Sequence, residues 1–517
     1  MAPKNEGVVN HDSGVGWTME YNTVRDNGGA GIFLGTNGIA RYNCLKDNGQ
    51  YGFQVFSNDS SPQNVVLDHN EIVGNNTDDW ETQDPGCGCT GAGKFWDAHT
   101  VDITNNYIHG NLGVALWADT NDTDFLVESN YISDNRGQGL FYEISYNMIV
   151  RNNNFVRNAQ VAGAANAGFP SGAIYLSESG GDNRVGGRTA NIDVYDNIFT
   201  DNWSGVVLWE NADRYCASPS NTSSGYCTIV NPSATLTTCG DPAGGGLVDQ
   251  QPYLSDCRWK TQNVKVHNNT FAMDKANIPS CTIKNSCGLQ GIFSNVGSSP
   301  SWSPYMGTGV QEAITFNQNN IFSNNSYTGD WNFMVKAQNK IINFDVWRLN
   351  PYNQDAGSTI SGNSANVIDT NTATLEGTIG KWISWYSDTV SRTNEQAHTG
   401  SYSLKVDITA PFGWGVQLND SGYATTPKQK TISFWGRLGS GTNLNATMQI
   451  VWLNAAGTPV GSTESLTMSS LDNTWRQASK VVTPPNGAVT ASAAIVNSSG
   501  TAGNNIYLDD FVIQDIP

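Results

Sequence analysis

The sequence predicts an all-β protein in two parts, a β-solenoid and then an antiparallel β-sandwich. Three observations carry that prediction. A short pattern, hydrophobic-x-hydrophobic-x-x-Asn-x-hydrophobic, recurs nine times from WTMEYNTV at residue 17 to ITFNQNNIF at residue 314. Its uninterrupted spacings of 21 to 24 residues suit one solenoid turn of about three short strands. The composition is turn-rich, with 54 glycines, 38 % hydrophobic and only 14 % charged residues, a profile in which helices are few. From residue 375 onward the repeat gives way to alternating strands separated by turn signals. A chain of 517 residues is expected to hold two or three domains. The boundaries read from the text are a solenoid over 1–362, a polar linker over 363–374 and a sandwich over 375–517.

The chain opens on MAPKNEGVVNHDSG, which has neither the basic end nor the apolar core of a signal peptide, and no run reaches the length of a membrane span. It starts in mid-repeat without the amphipathic cap expected at a first coil. An upstream part is therefore expected, and a monomer unless the open coil docks on another chain. A formal charge of -19 sets aside nucleic acid and anionic membranes as partners.

Each fixed letter of the repeat has a physical reason. The anchors Asn22, Asn43, Asn70, Asn106, Asn130, Asn153, Asn197, Asn269 and Asn320 are expected to stack, each amide bonding from layer to layer and satisfying turn backbone. Two residues on, Val24, Leu45, Ile72, Ile108, Ile132, Phe155, Phe199, Phe271 and Phe322 form an apolar column that must face the core. Gly31, Gly52 and Gly139 are expected to supply a turn conformation before the next strand.

These repeats resemble those of right-handed parallel β-helix proteins, the group of pectate and alginate lyases, polygalacturonases and many phage tailspikes, over residues 8–362. The resemblance implies the fold more than the reaction, since one fold carries many chemistries.

Within the solenoid, GKFWDAH (93–99), ALWADTN (115–121) and GLFYEIS (139–145) read as three versions of one strand. Stacked in that register, Asp97, Asp119 and Glu143 form a column of acids with rungs ~4.8 Å apart. Phe95, Trp117 and Phe141 precede them by two residues. Extra residues enter before this strand at 76–92 and 159–171, and after it at 179–190 and 211–260, so loops wall the column on both sides. Paired carboxylates suit the general acid and base that flank a glycosidic bond, Asp119 and Glu143 assisted by Asp97; one rung fits a retaining separation of ~5 Å. Glu178 and Glu210, slightly off register in the next coils, could extend the site, and Trp117, Phe141, Tyr175 and Trp209 could stack on sugar rings. Acids at turns also cap backbone or bind structural ions. An insertion precedes Lys94, so a one-residue slip decides whether it faces the cleft or the core. In the cleft, Lys94 would be the base of a β-elimination with calcium neutralising a uronate, as several β-helix lyases look. Lys94 and Arg136 are the only cations between residues 93 and 146 against eight acids, so hydrolysis is the preferred reading. His99 and His109 read as surface turn residues.

Six cysteines crowd into one irregular region, which reads as disulfide-stapled loops in a secreted protein whose signal has been removed. Neighbour pairing is expected: Cys216 with Cys227, Cys239 with Cys257, and Cys281 with Cys287. Cys87 with Cys89 would make an unusually tight ring, and Cys44 looks unpaired. From Phe344 the text reads as a closing coil.

The last part resembles the jelly-roll carbohydrate-binding modules of families 4, 9 and 22. The resemblance lies in Glu376 and Gly377, Gly-Ser-Tyr-Ser-Leu at 400–404 and Leu-Asp-Asp-Phe at 508–511. It implies a structural calcium near Glu376 and Asp510, oxygen ligands suiting that ion. Trp385 and Trp414 are candidates for sugar binding on exposed loops, while Trp435, in a regular strand, is expected in the core. Three functions stay open: a secreted polysaccharide hydrolase, a lyase using Lys94 and calcium, and a non-catalytic glycan-binding or adhesive stalk.

Overall fold

The structure is a computed structural model that describes residues 14–515 apart from residues 58–59, 167, 220–225, 282–285, 308–309, 311, 336–339, 343, 362–367, 387, 410–412, 420–422, 426–428 and 442–443. The described chain divides into two units, Met1–Ile341 with Pro351–Ile360, and Ile342–Asn350 with Ser361–Pro517.

The first unit is a parallel β-helix. Strands of three to eight residues line up as three parallel sheets of nine, ten and ten strands, each turn of the chain adding one strand to each sheet. A single left-handed residue bends the chain between the first and second sheet in each coil. Tyr21, Tyr42, His69, Asn105, Ser129, Asn152, Asp196 and Asn268 fill that place, all with φ between 54° and 59°. Non-glycine residues occupy this region at a cost. The asparagine that follows each of them offsets it. Asn106, for example, donates from Nδ2 to Asn130 Oδ1 at 3.0 Å and to the Leu67 carbonyl at 2.9 Å, and its own Oδ1 accepts from the Asn70 amide. The ladder runs unbroken from Asn22 to Asn269.

Its next rung is Asn325, not Asn320. The stretch ITFNQNNIF belongs half a coil earlier: Phe322 pairs with Val266 in the first sheet, and Tyr327 takes the place after Phe271. Aromatic rings then fill the interior in a continuous stack. Phe199 lies 5.0 Å from Phe155 and 4.5 Å from Phe271, which lies 5.1 Å from Tyr327, all within 12° of parallel. The glycines before the third sheet do not serve as left-handed turns. A Cβ on Gly139 would lie 2.8 Å from the Phe155 ring and one on Gly52 2.7 Å from Ile72, so they are there for close approach.

The second unit is an antiparallel sandwich of two sheets, one ordered around Leu444–Leu453 and Thr490–Asn497, the other around Lys430–Ser440 and Asn505–Asp515. Alternation fills its core with Trp382, Phe434, Trp452 and Phe511. Trp414 is also in this core, fully buried, where the sequence reading had it exposed. Its strand alternates inward at that position. Trp435 does the opposite: it points out of the sheet, part-buried, and stacks on His398 at 3.6 Å. Two further differences concern the junction. The predicted closing coil begins with a short helix, Phe344–Arg348, before the strand Thr359–Ser361 ends the second sheet. Part of the predicted linker forms the helix Thr370–Thr374, with Ile368 and Ala373 packed in the sandwich core. No helix among the described residues is long and apolar enough to cross a membrane.

The disulfides Cys216–Cys227, Cys239–Cys257 and Cys281–Cys287 form as the sequence predicts. Cys87 and Cys89 also pair, across a Cα separation of 5.2 Å. Gly88 between them, at φ +58, gives the backbone the left-handed bend that a three-residue ring needs. Cys44 is free.

Candidate active site

The outer face of the third sheet carries the site. Strands Gly93–Trp96, Leu116–Asp119, Leu140–Glu143, Gly172–Ser177 and Ser204–Asn211 are neighbours there. Register between Leu116–Asp119 and Leu140–Glu143 is as the sequence implies, with Asp119 opposite Glu143 and Trp117 opposite Phe141. The Gly93–Trp96 strand is displaced by one. Lys94 pairs with Trp117, Phe95 with Ala118 and Trp96 with Asp119. Packing decides this: Phe95 is fully buried between the rings of Phe53 and Phe125, and Gly93 leaves room for the Phe53 ring. The outward residues of this coil are therefore Lys94 and Trp96. Asp97 falls one residue past the strand, at φ 50, where it accepts a hydrogen bond from Ser61 Oγ and faces His99 at 3.4 Å. It does not belong to the acid column, and Phe95 does not belong to the outer rings.

What the outer face holds instead is a row of alternating charges. Lys94 Nζ lies 2.9 Å from Asp119 Oδ2, the two side chains only 9 % and 10 % exposed. One rung on, Glu143 Oε1 meets Arg214 Nη2 at 2.6 Å, and Glu143 Oε2 accepts from Trp117 Nε1 at 2.9 Å. Arg214 continues to Glu178 Oε2 at 3.0 Å, and Glu178 Oε1 accepts the Asn211 amide. Burial, reinforced by the neighbouring Asp119 charge, pushes the Glu143 carboxyl up to about 7 against the opposing pull of Arg214. Lys94 Nζ also donates to the Gly88 carbonyl at 2.6 Å and sits 4.1 Å over the Trp117 ring.

Glu210 stands apart from this row. It is fully buried, ion-paired with Arg258, and accepts from the Thr261 amide and Gln318 Nε2. Its strand turns inward at that point, so it braces the 211–260 loop and does not line the face. The rings also behave differently from the sequence reading. Trp117 and Phe141 stack on each other at 5.0 Å and 19°, and Phe141 lies 4.7 Å from Tyr175. Rings one rung apart cover each other's faces. Trp209 packs against Phe293 at 4.8 Å, within an apolar cluster with Tyr175 and Phe169. These four make a ladder and a wall.

At the Lys94 end of the row lies a pocket of about 370 Å³, lined by Lys94, Trp96, the Cys87–Gly88–Cys89 ring, and residues of the two preceding coils and of the 211–260 loop. None of Trp96, Arg214, Gln54, Tyr51, Phe33 or Tyr226 was singled out from the sequence. Gln54 and Phe33 could have been, since they occupy the same outward column as Lys94. Arg214 and Tyr226 sit in an insertion with no repeat to align to.

In the sandwich, Trp385 is exposed, as expected. Glu376 and Asp510 reach the same loop. Glu376 Oε1 accepts the amides of Ser401 and Tyr402, while Asp510 accepts from His398 and Thr399. The adjacent Asp509 is fully buried, and burial with the Asp510 charge pushes its carboxyl well up. Glu376, Asp509 and Asp510 thus all accept hydrogen bonds from the 398–402 loop. No group of three His, Cys, Asp or Glu close enough to hold a metal occurs among the described residues.

A family model described as a right-handed β-helix region matches residues 6–190. The solenoid is a right-handed parallel β-helix. No curated protein matches the sequence at a significant level. Among solved structures, a family 16 carbohydrate-binding module is 15 % identical, covering 29 % of this chain and 100 % of that one at a TM-score of 0.24. The C-terminal family 22 carbohydrate-binding module of Clostridium thermocellum Xyn10B is 19 % identical over 28 % of this chain and 96 % of that one, at 0.23. The CBM22-1 and GH10 modules of the Clostridium thermocellum xylanase 10B are 16 % identical at 0.24. The match spans 28 % of that xylanase chain.

Proposed function

We propose that the protein is a secreted carbohydrate-active enzyme that cleaves glycosidic bonds by hydrolysis, with Asp119 and Glu143 as its paired carboxylates. The observation that supports this most is the raised carboxyl of Glu143 on the strand beside Asp119. Glu143 is held up to about 7, so near neutral pH it retains a proton to give to a leaving oxygen. Asp119, one rung away and paired with Lys94, is the partner carboxylate. Their strands are neighbours, and a rung of ~4.8 Å is near the ~5 Å of a retaining pair. Neither side chain is consumed in capping backbone, as a plain adhesive stalk would allow. The test is a panel of neutral and acidic polysaccharides assayed for new reducing ends. Asp119→Asn and Glu143→Gln should each lose activity by orders of magnitude while keeping the wild-type melting temperature; wild-type rates in both would overturn the reading.

A second reading is favoured by one observation. Lys94, not Asp119 or Glu143, lines the pocket. As the base of a β-elimination with a calcium-bound uronate, it would leave an unsaturated product that absorbs in the near ultraviolet. Arg214, which lies outside residues 93–146, also reduces the repulsion that a polyuronate would meet. Absorbing products that vanish in Lys94→Ala would move the assignment to a lyase. For the sandwich we propose glycan binding with Trp385 at the contact, and a structural calcium near Glu376 and Asp510.

A further inference from the structure

We propose that the pocket at the Lys94 end of the row seats a sugar residue carrying an apolar substituent, such as a 6-deoxy carbon, an O-methyl or an O-acetyl group. The proposal rests on the reading that this face handles carbohydrate, and it specifies which carbohydrate. Five aromatic side chains line the pocket: Phe33, Tyr51, Phe56, Trp96 and Tyr226. They come from three successive coils and a distant loop. Trp96 and Tyr226 meet edge to face, 5.5 Å apart, and Phe33 and Tyr51 pack with Cys89 in one apolar cluster.

The polar groups are few and mostly spent. Gln50 Nε2 donates to the Cys89 carbonyl, and Lys94 Nζ is taken by Asp119 and the Gly88 carbonyl. Gln54 differs from these two. It stands beside Lys94 in the strand register, and its amide makes no hydrogen bond to a described residue. The pocket therefore offers the Gln54 amide and the committed Lys94 ammonium side by side, with rings around them whose own polar atoms are the Tyr51 and Tyr226 hydroxyls and Trp96 Nε1. Among the described residues no carboxylate lines it.

A fully hydroxylated sugar carries polar groups around its whole rim. In this setting those facing Gln54, Lys94, a tyrosine hydroxyl or Trp96 Nε1 would find partners, and each hydroxyl facing a ring carbon would be desolvated without one. Replacing one rim hydroxyl by hydrogen, or masking it with methyl or acetyl, removes that penalty and adds buried apolar area. The volume, about 370 Å³, is at the small end of ligand pockets, which run from roughly 300 to 1,000 Å³, so the occupant is a sugar unit and not a long chain segment.

The test compares matched pairs on the full chain: methyl fucoside against methyl galactoside of the same configuration, and a 6-O-acetyl glucoside against its parent. Binding is read by tryptophan fluorescence and by ligand-observed NMR, in wild type and in Glu143→Gln, so that no turnover is needed. The apolar member of each pair should bind at least about tenfold tighter, since a methyl group or an unmatched hydroxyl is worth roughly 10- to 200-fold in an apolar site. Trp96→Ala should erase the difference. Tyr226→Ala, at an exposed position, should reduce it should the first variant misfold. Equal affinities within the pairs, absence of binding by either member, or a difference that survives both variants would overturn the proposal. If the preference is present but no glycosidic bond is ever cleaved, the assignment of Asp119 and Glu143 fails and the pocket stands.

Discussion

Glu143 and Asp122 are both buried acids held above their ordinary values, and they predict opposite experiments. For Glu143, burial and the Asp119 charge raise the carboxyl from 4.5 to about 7. Activity that needs its proton should be present at acid pH and fall as pH rises through about 7, the limb disappearing in Glu143→Gln along with most of the rate, ~10²- to 10⁴-fold. A pH–rate profile of kcat/KM checks this. Asp122 has no such task. Its Oδ1 accepts the Ala98 amide at 2.7 Å, in a short ladder in which Ser145 and Ser179 accept from the coils before them. Its Oδ2 has no hydrogen-bond partner, and burial pushes the group well above 3.8. The sign follows from the raised value: the folded state is favoured below the unfolded value and loses that favour as pH rises toward the folded one. Asp122→Asn should accordingly raise the melting temperature at pH 8 and change it little at pH 4, measured by calorimetry.

At the scale of the element, the asparagine ladder is the feature most visible in the sequence, and it predicts its own energetics. An interior rung such as Asn130 serves the Asn106 amide and side chain, the Ile103 carbonyl and Asn153 at once. Asn130→Ala leaves several buried groups unmatched at about 1–3 kcal/mol each, so a loss of several kcal/mol is expected in denaturant titration. Phe199→Ala, which opens the aromatic stack, should cost about 3–5 kcal/mol. Repeat text is legible because each rung obeys the same local physics. A second ladder five residues on, through Asn27, Asn48, Asn75, Asn111, Asn135, Asn158 and Asn202, was equally available in the sequence and was not read. Illegible parts begin where the repeat is interrupted. The insertion at 76–92 hid the one-residue shift that brings Lys94 to the outer face, because what fixes it is the Phe53 ring filling the space at Gly93. Arg214 was beyond reach for a related reason: only the folded 211–260 loop returns it to Glu143.

For the whole molecule, the two units carry different kinds of reinforcement. All four disulfides, from Cys87–Cys89 to Cys281–Cys287, fall in the β-helix unit. The candidate calcium ligands Glu376 and Asp510 both fall in the sandwich unit. Closing loops lowers the entropy of the unfolded chain by ~2–4 kcal/mol per bridge, so reduction acts on the unit that contains them. A bound ion instead stabilises by mass action, so its removal acts only where it binds and reverses on re-addition. Heated in full length, the chain should show two separable changes. Reductant should lower the transition of the β-helix unit and leave the other in place, and chelator should lower the sandwich transition, with calcium restoring it. Glu376→Gln should remove the chelator response without moving the reductant response. A sandwich transition indifferent to both chelator and calcium would eliminate the ion, leaving the raised Asp509 carboxyl to be accommodated as a protonated acid, and the same transition would then be expected to fall as pH rises.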